Sequence, residues 1–159
     1  MKIYLVQHGE ALTKDVDSRR PLSNVGHAEV GLMAEFLAGH MKVSRVVHSG
    51  KERARQSAEI FTAIIAGEFP VEAISGINPN DPVEDFASQL ADWKEDVLVV
   101  GHLPFMAKLV SLLVSGSANA DIVAYTPGSI VCLESADCKN WQVQWMVRPE
   151  LLTDSTNKE

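Results

Sequence analysis

The chain has 159 residues, 46% of them hydrophobic, and a net charge of -7 at neutral pH. That length supports one well-buried core and is short for two. The charge speaks against a general nucleic-acid binder, and no apolar run approaches the roughly 18 residues of a membrane span. The start lacks a basic region followed by an apolar signal core, so a cytoplasmic, monomeric protein is expected. Cys132 and Cys138 have no CxxC spacing and no His-rich ligand pattern nearby, so neither structural zinc nor, in a reducing compartment, a disulfide is expected.

Ile3 to Val6 is an apolar, β-branched and aromatic run that reads as a strand, ending at Gln7, His8 and Gly9. Ala11 to Arg20 is polar and aperiodic, a loop beside His8. Pro21-Leu22-Ser23 opens a helix with Ser23 as its cap, and Val25, Ala28, Leu32, Phe36 and Leu37 are spaced for one apolar face ending near Gly39-His40. Ser44 to His48 is a second strand ending at Ser49-Gly50. Lys51 to about Ala66 is helical, with Ala54, Ala58, Phe61 and Ile65 facing inward, and Gly67 and Pro70 end it.

Val71 to Ile74 reads as a short strand, followed by a turn-rich loop through Pro79 and Pro82. Val83 to about Trp93 is a helix. Val97 to Val100 is a buried strand ending in Gly101-His102, and Pro104, able to open a helix at its first position, leads an apolar helix to Val114. A loop over Ser115 to Asp121 follows. Ile130 to Glu134 and Trp141 to Val147 are β-rich runs around a polar turn, an antiparallel hairpin for the sheet edge. Strands alternating with helices predict a three-layer α/β/α domain over residues 1–150, its sheet mostly parallel, with 151–159 as a flexible tail.

Three of these strands end in histidine, at His8, His48 and His102. Ligands of such sheets bind beyond the carboxyl ends of the strands, so the three ends are expected to face one pocket. The charge is uneven: residues 1–55 carry 9 Lys and Arg against 6 Asp and Glu, residues 56–159 carry 5 against 15. A basic island in an acidic protein suits a small anion such as phosphate.

His-Gly-Glu after the first strand, Ser49 with Arg53-Ala54 and Gln56-Ser57 after the second, and Gly101-His102 after a late strand resemble the histidine phosphatase superfamily, whose fold is phosphoglycerate mutase-like. The short length, Arg20-Pro21-Leu22-Ser23 with Gly26 beyond it, and Gly101-His102-Leu103-Pro104 look more narrowly like SixA-type phosphohistidine phosphatases. The likeness runs from Met1 to about Val147.

The resemblance implies His8 as a nucleophile that forms a phosphohistidine intermediate, and His102 as the second catalytic histidine, donating to a phosphate oxygen. It implies Arg53 and Arg20 as phosphate clamps, because guanidinium offers paired planar donors and keeps its charge. Arg55, two helical residues from Arg53, points to nearly the opposite face and reads as solvated. Arg19 reads as surface, His48 as rim or structural, and His27 and His40 as ordinary helix residues. Gln7 stands where the family has arginine. It can donate to phosphate without charge or paired geometry, which would cost on the order of 10 to 150-fold in transition-state stabilisation unless Lys51 or an arginine compensates.

Carboxylates that could serve as a general acid are Asp81 and Glu84, with Glu10 and Asp85 beside them; none lies in a diagnostic motif. Phosphohistidine asks less of such an acid, because its P–N bond is labile. The expected activity is therefore a phosphatase needing no metal or cofactor, acting on phosphohistidine of a partner protein such as a histidine phosphotransfer domain. A small-molecule phosphomonoesterase and a phosphate sensor with weak turnover remain alternatives.

Overall fold

The run after Met1 becomes β1 (Lys2–Gln7), buried on both faces from Ile3 onward. Successive side chains of a strand point to opposite faces, so Ile3 and Leu5 join one core cluster while Tyr4 and Val6 join another. This double burial explains why the strand reads as a continuous apolar run. The computed structural model describes residues 1–66 and 70–153; the expected helix stop at Gly67 and residues 154–159 of the expected tail lie outside them.

The remaining elements follow in order: α1 (Asn24–Leu37), β2 (Arg45–His48), α2 (Glu52–Phe61) continuing into a π-helical turn at Thr62–Ala66, β3 (Val71–Ala73), α3 (Val83–Trp93), β4 (Val97–Gly101), α4 (Phe105–Ser115), β5 (Ile130–Glu134) and β6 (Gln142–Val147). A 3-10 turn at Pro149–Leu151 follows, and Leu152 packs against the core beside α1 and α2. The six strands lie in the order β3-β2-β4-β1-β5-β6. The first four are mutually parallel; β5 and β6 run antiparallel, forming the expected hairpin at one edge. Helices α1 and α2 cover one face and α3 and α4 the other, which makes the three layers.

The register sets up the site. Within the parallel pair β1–β4, Gln7 lies opposite Gly101, so the residues that follow, His8 and His102, leave the sheet side by side. Tyr125, buried, donates its hydroxyl to Leu5 O at 2.9 Å and ties the 122–129 loop beneath them. Pro104 sits one residue earlier than expected, as the cap of α4 and not its first helical residue.

Helix α1 begins at the expected cap, Ser23 accepting from Gly26 N at 3.0 Å, but its buried face is not the expected one. Gly26, Val30, Met33, Ala34 and Leu37 face the core, whereas Val25, Leu32 and Phe36 are 53%, 42% and 53% exposed. The reason lies at Gly26. A Cβ there would stand 2.1 Å from Glu10 O, so α1 crosses the segment after β1 at backbone contact and turns Gly26 inward, with Val30, Met33, Ala34 and Leu37 on the same face.

Alanine in a helix interior is ordinarily more favourable than glycine by about 1 kcal/mol. Here the opposing atom is a backbone carbonyl that cannot step aside. Gly26→Ala is expected to destabilise the fold by about 1 to 3 kcal/mol, read as a lowered urea midpoint with unchanged m. A stabilised variant would show that α1 does not seat at this distance.

Candidate active site

Beyond the carboxyl ends of β1 and β4 lies a cleft of about 430 Å³ lined by Gln7, His8, Glu10, Ala11, Arg20, Arg53, Pro79, His102, Leu103 and Pro127. Five expected residues meet there: Gln7, His8, Arg20, Arg53 and His102. Asp81 and Glu84 do not line it. Asp81 uses its carboxylate to accept from Asn78 N at 2.9 Å, which holds its own loop. Glu84 is exposed in the first turn of α3, where its charge complements the helix dipole. The loop delivers Pro79 to the cleft instead, and the carboxylate on the rim is Glu10. His48 is buried beside the site, with Nδ1 accepting from Gly50 N at 3.0 Å, and does not line it.

His8 is held by its backbone and by one ring nitrogen. Its N–H donates to Gly101 O at 3.0 Å, and its carbonyl, with that of Gln7, receives Gly128 N. The next peptide is fixed by Ser57, whose hydroxyl accepts from Gly9 N at 3.0 Å and donates to Arg53 O at 2.8 Å. Nδ1 of His8 lies 2.7 Å from Gly9 O, an acceptor, so the ring proton is on Nδ1 and Nε2 carries a lone pair. Burial pushes the His8 pKa down to about 4; the Gly9 carbonyl opposes this, while the charges of Arg53 and Arg20 add to it. The ring is thus neutral at pH 7. Its centroid is 5.0 Å from that of His102, which burial foremost, then the charges around it, lower to about 3.

The arginines divide sharply by partner. Arg19 pairs with Asp17, Arg45 with Glu72, Arg55 with Glu52 and Glu59, and Arg148 with Glu150. Among the described residues, Arg20 and Arg53 make no ion pair. Arg53 Nε approaches His8 Nε2 at 3.3 Å, and Arg20 Nε donates to Leu12 O at 3.1 Å. Arg20 adopts φ 49°, a left-handed conformation that a non-glycine residue rarely holds without a local reason. Burial and the Arg20 charge both lower the Arg53 pKa, so the two guanidiniums repel one another across the cleft. Such a space favours an anion.

Gln7 is 8% exposed, and its Oε1 is buried with no hydrogen-bond partner among the described residues. Sequence reasoning missed Ser57 and Gln56 as scaffold, although both stood in the recognised motif. Gln56 Oε1 accepts from Leu22 N at 2.7 Å and anchors the strap that carries Arg20. It also missed the Thr126-Pro127-Gly128-Ser129 turn under the cleft; the Pro-Gly pair was the available signal. Among the described residues, no three His, Cys, Asp or Glu side chains converge to hold a metal ion.

Paired histidines at adjacent parallel strand ends, with two guanidiniums that make no ion pair among the described residues, form an arrangement that can hold a phosphoryl oxyanion beside a nucleophile. The family model described as histidine phosphatase superfamily (branch 1) matches residues 3–77, a span that holds His8, Arg20 and Arg53. Among solved structures, the chain is similar to the protein histidine phosphatase SixA complexed with tungstate, at 28% identity and TM-score 0.86, covering 96% of this chain and 100% of that one. It is also similar in fold to a provisionally assigned phosphohistidine phosphatase SixA from Agrobacterium tumefaciens (21% identity, TM-score 0.75, 93% and 97% covered) and to the alpha-ribazole phosphatase from Shigella flexneri (16%, 0.78, 94% and 97%). No curated protein matches the chain. Residues 3–77 thus match the histidine phosphatase superfamily, and this match together with the fold supports a phosphatase.

The two depressed histidines have a consequence for stability. Their folded pKa values, about 4 and about 3, lie below the ordinary 6.5, so the unfolded chain binds protons that the folded chain refuses. The stability present above about pH 6.5 is therefore lost as the pH falls towards about 4. Urea midpoints measured at pH 7.5, 5.5 and 4.5 should decline, and His8→Gln should flatten the slope. An unchanged slope would show that His8 is not held neutral.

Proposed function

We propose that this protein removes the phosphoryl group from phosphohistidine on a partner protein, through a covalent intermediate on His8. The observation that carries the reading is the pairing of a neutral His8, its Nε2 lone pair turned to the Arg53 guanidinium, with two guanidiniums that have no carboxylate partner among the described residues. In the first step Nε2 attacks phosphorus, and the bond from phosphorus to the leaving imidazole nitrogen breaks as that ring takes a proton from solvent. Gly9 O, accepting from Nδ1–H, stabilises the positive charge that develops on the His8 ring. In the second step water attacks phosphorus and the Nε2–P bond breaks, its electron pair returning to His8.

Arg53 and Arg20 hold the phosphoryl oxygens, and His102 donates to one as charge builds. The similarity to a SixA structure complexed with tungstate supports a site for a tetrahedral oxyanion. Trapping with labelled phosphohistidine peptide should give an acid-labile, base-stable phosphoenzyme that His8→Ala abolishes; labelling that survives in His8→Ala means another nucleophile. Loss of one charge-assisted bond of about 1.5 to 3 kcal/mol predicts that Arg53→Ala lowers kcat/KM by about 10 to 150-fold, with Arg53→Lys a partial rescue.

A small-molecule phosphomonoesterase is favoured by a separate observation. Glu10 lies on the rim, where a carboxylic acid could protonate an alkoxide, and an alpha-ribazole phosphatase shares the fold. A panel of sugar phosphates, nucleotides and phosphohistidine peptides decides: turnover confined to alcohol phosphates and lost in Glu10→Gln would replace the leading reading. Gln7→Arg, which adds a charged paired donor, should raise turnover by up to about 10 to 150-fold. If both this variant and the parent bind vanadate but turn over nothing, the site is a sensor.

A further inference from the structure

His102 can engage a bound phosphoryl group through one nitrogen only. Its Nε2 lies 2.6 Å from Ser49 Oγ, and its Nδ1 is buried without a hydrogen-bond partner among the described residues. The ring is 1% exposed and lines the cleft, so with Nε2 engaged by Ser49, Nδ1 is the nitrogen left for a phosphoryl oxygen. That oxygen only accepts, so Nδ1 must carry the ring proton. Nε2 then presents a lone pair, and Ser49 has to be the donor.

The surroundings of Ser49 agree. Its Oγ receives Lys51 N at 3.4 Å, which takes up acceptor capacity and leaves its hydrogen for the ring. Backbone geometry puts it there. His48 lies opposite Val100 in the β2–β4 pair, so Ser49 leaves its strand beside Gly101-His102, and Gly50, at φ 89°, turns the chain into α2.

We propose that Ser49 is a positioning residue that fixes the Nδ1–H tautomer of His102, so that the ring presents its one proton to the bound phosphoryl group. The inference rests on the reading of the cleft as a phosphoryl site. Burial keeps the ring neutral, so it holds a single proton and the choice of nitrogen decides what it can do. The opposite tautomer would donate to Ser49 and turn a lone pair towards an anionic oxygen. A phosphoryl oxygen would meet the buried Nδ1–H, which has no other partner among the described residues.

The test is long-range proton–nitrogen correlation NMR on the nitrogen-15-labelled full chain at pH 7, free and with vanadate. His102 should show the Nδ1–H pattern in the parent and in Ser49→Thr, and shift to Nε2–H or a mixture in Ser49→Ala. With phosphohistidine peptide, Ser49→Ala should lower kcat by about 10 to 100-fold with KM nearly unchanged, and Ser49→Thr should restore it. An Nε2–H pattern in the parent, or an unchanged Nδ1–H pattern in Ser49→Ala, overturns the proposal. Should Ser49→Ala fail to fold, the parent spectrum still decides. The spectra need no turnover, so a protein inactive on every substrate but with His102 as Nδ1–H would sink the phosphatase mechanism and leave this assignment standing.

Discussion

The parallel pairing of β1 with β4 is the constraint from which the site follows. Because Gln7 stands opposite Gly101, the residue after each strand leaves the sheet at the same level, and two imidazoles arrive 5.0 Å apart without any contact designed between them. A slip of one residue would exchange the faces of every side chain on β1, putting Ile3 and Leu5 where Tyr4 and Val6 belong. The full burial of both sets makes that slip costly. The stability of the sheet and the spacing of the histidines thus have one cause.

The same economy governs charge. Four arginines are balanced by carboxylates at the surface, where each pair contributes little, and the two left unbalanced among the described residues are those the Arg20 strap and α2 deliver to the cleft. Mutual repulsion of these guanidiniums is a cost to the fold. It is tolerated because Gln56 and Ser57 on α2 hold Leu22 and Gly9, so the segments bearing Arg20 and His8 are fastened to the helix that bears Arg53. The pocket is a set of three backbones stapled to one another by side chains that never reach its interior.

Gln7 fits this arrangement in an unusual way. A third guanidinium at the end of β1 would add to the repulsion between Arg20 and Arg53, whereas a carboxamide adds donors without charge. Its Oε1 is left without a partner inside the protein. The glutamine therefore exchanges binding strength for lower repulsion.

Much of this was legible in the chain because it is local. Alternating strand and helix signals, Ser23 before α1, the extent of α3 and the polar turn between β5 and β6 depend on near neighbours. The histidines at strand ends and the arginine after β2 were legible because motif order is itself linear. The inward face of α1 was not. It depends on Gly26 meeting Glu10 O, a contact between segments that periodicity treats as unrelated, so large exposed residues such as Phe36 were counted as core. The absence of Asp81 and Glu84 from the cleft was hidden for a similar reason: whether a loop carboxylate turns to a site or to its own backbone depends on a hydrogen bond such as Asn78 N to Asp81. By itself the sequence determined which elements form and which residues stand at their ends. Only tertiary structure decided which of those ends share a pocket, because that rests on register, helix rotation and the pairing of charges across distances no local signal spans.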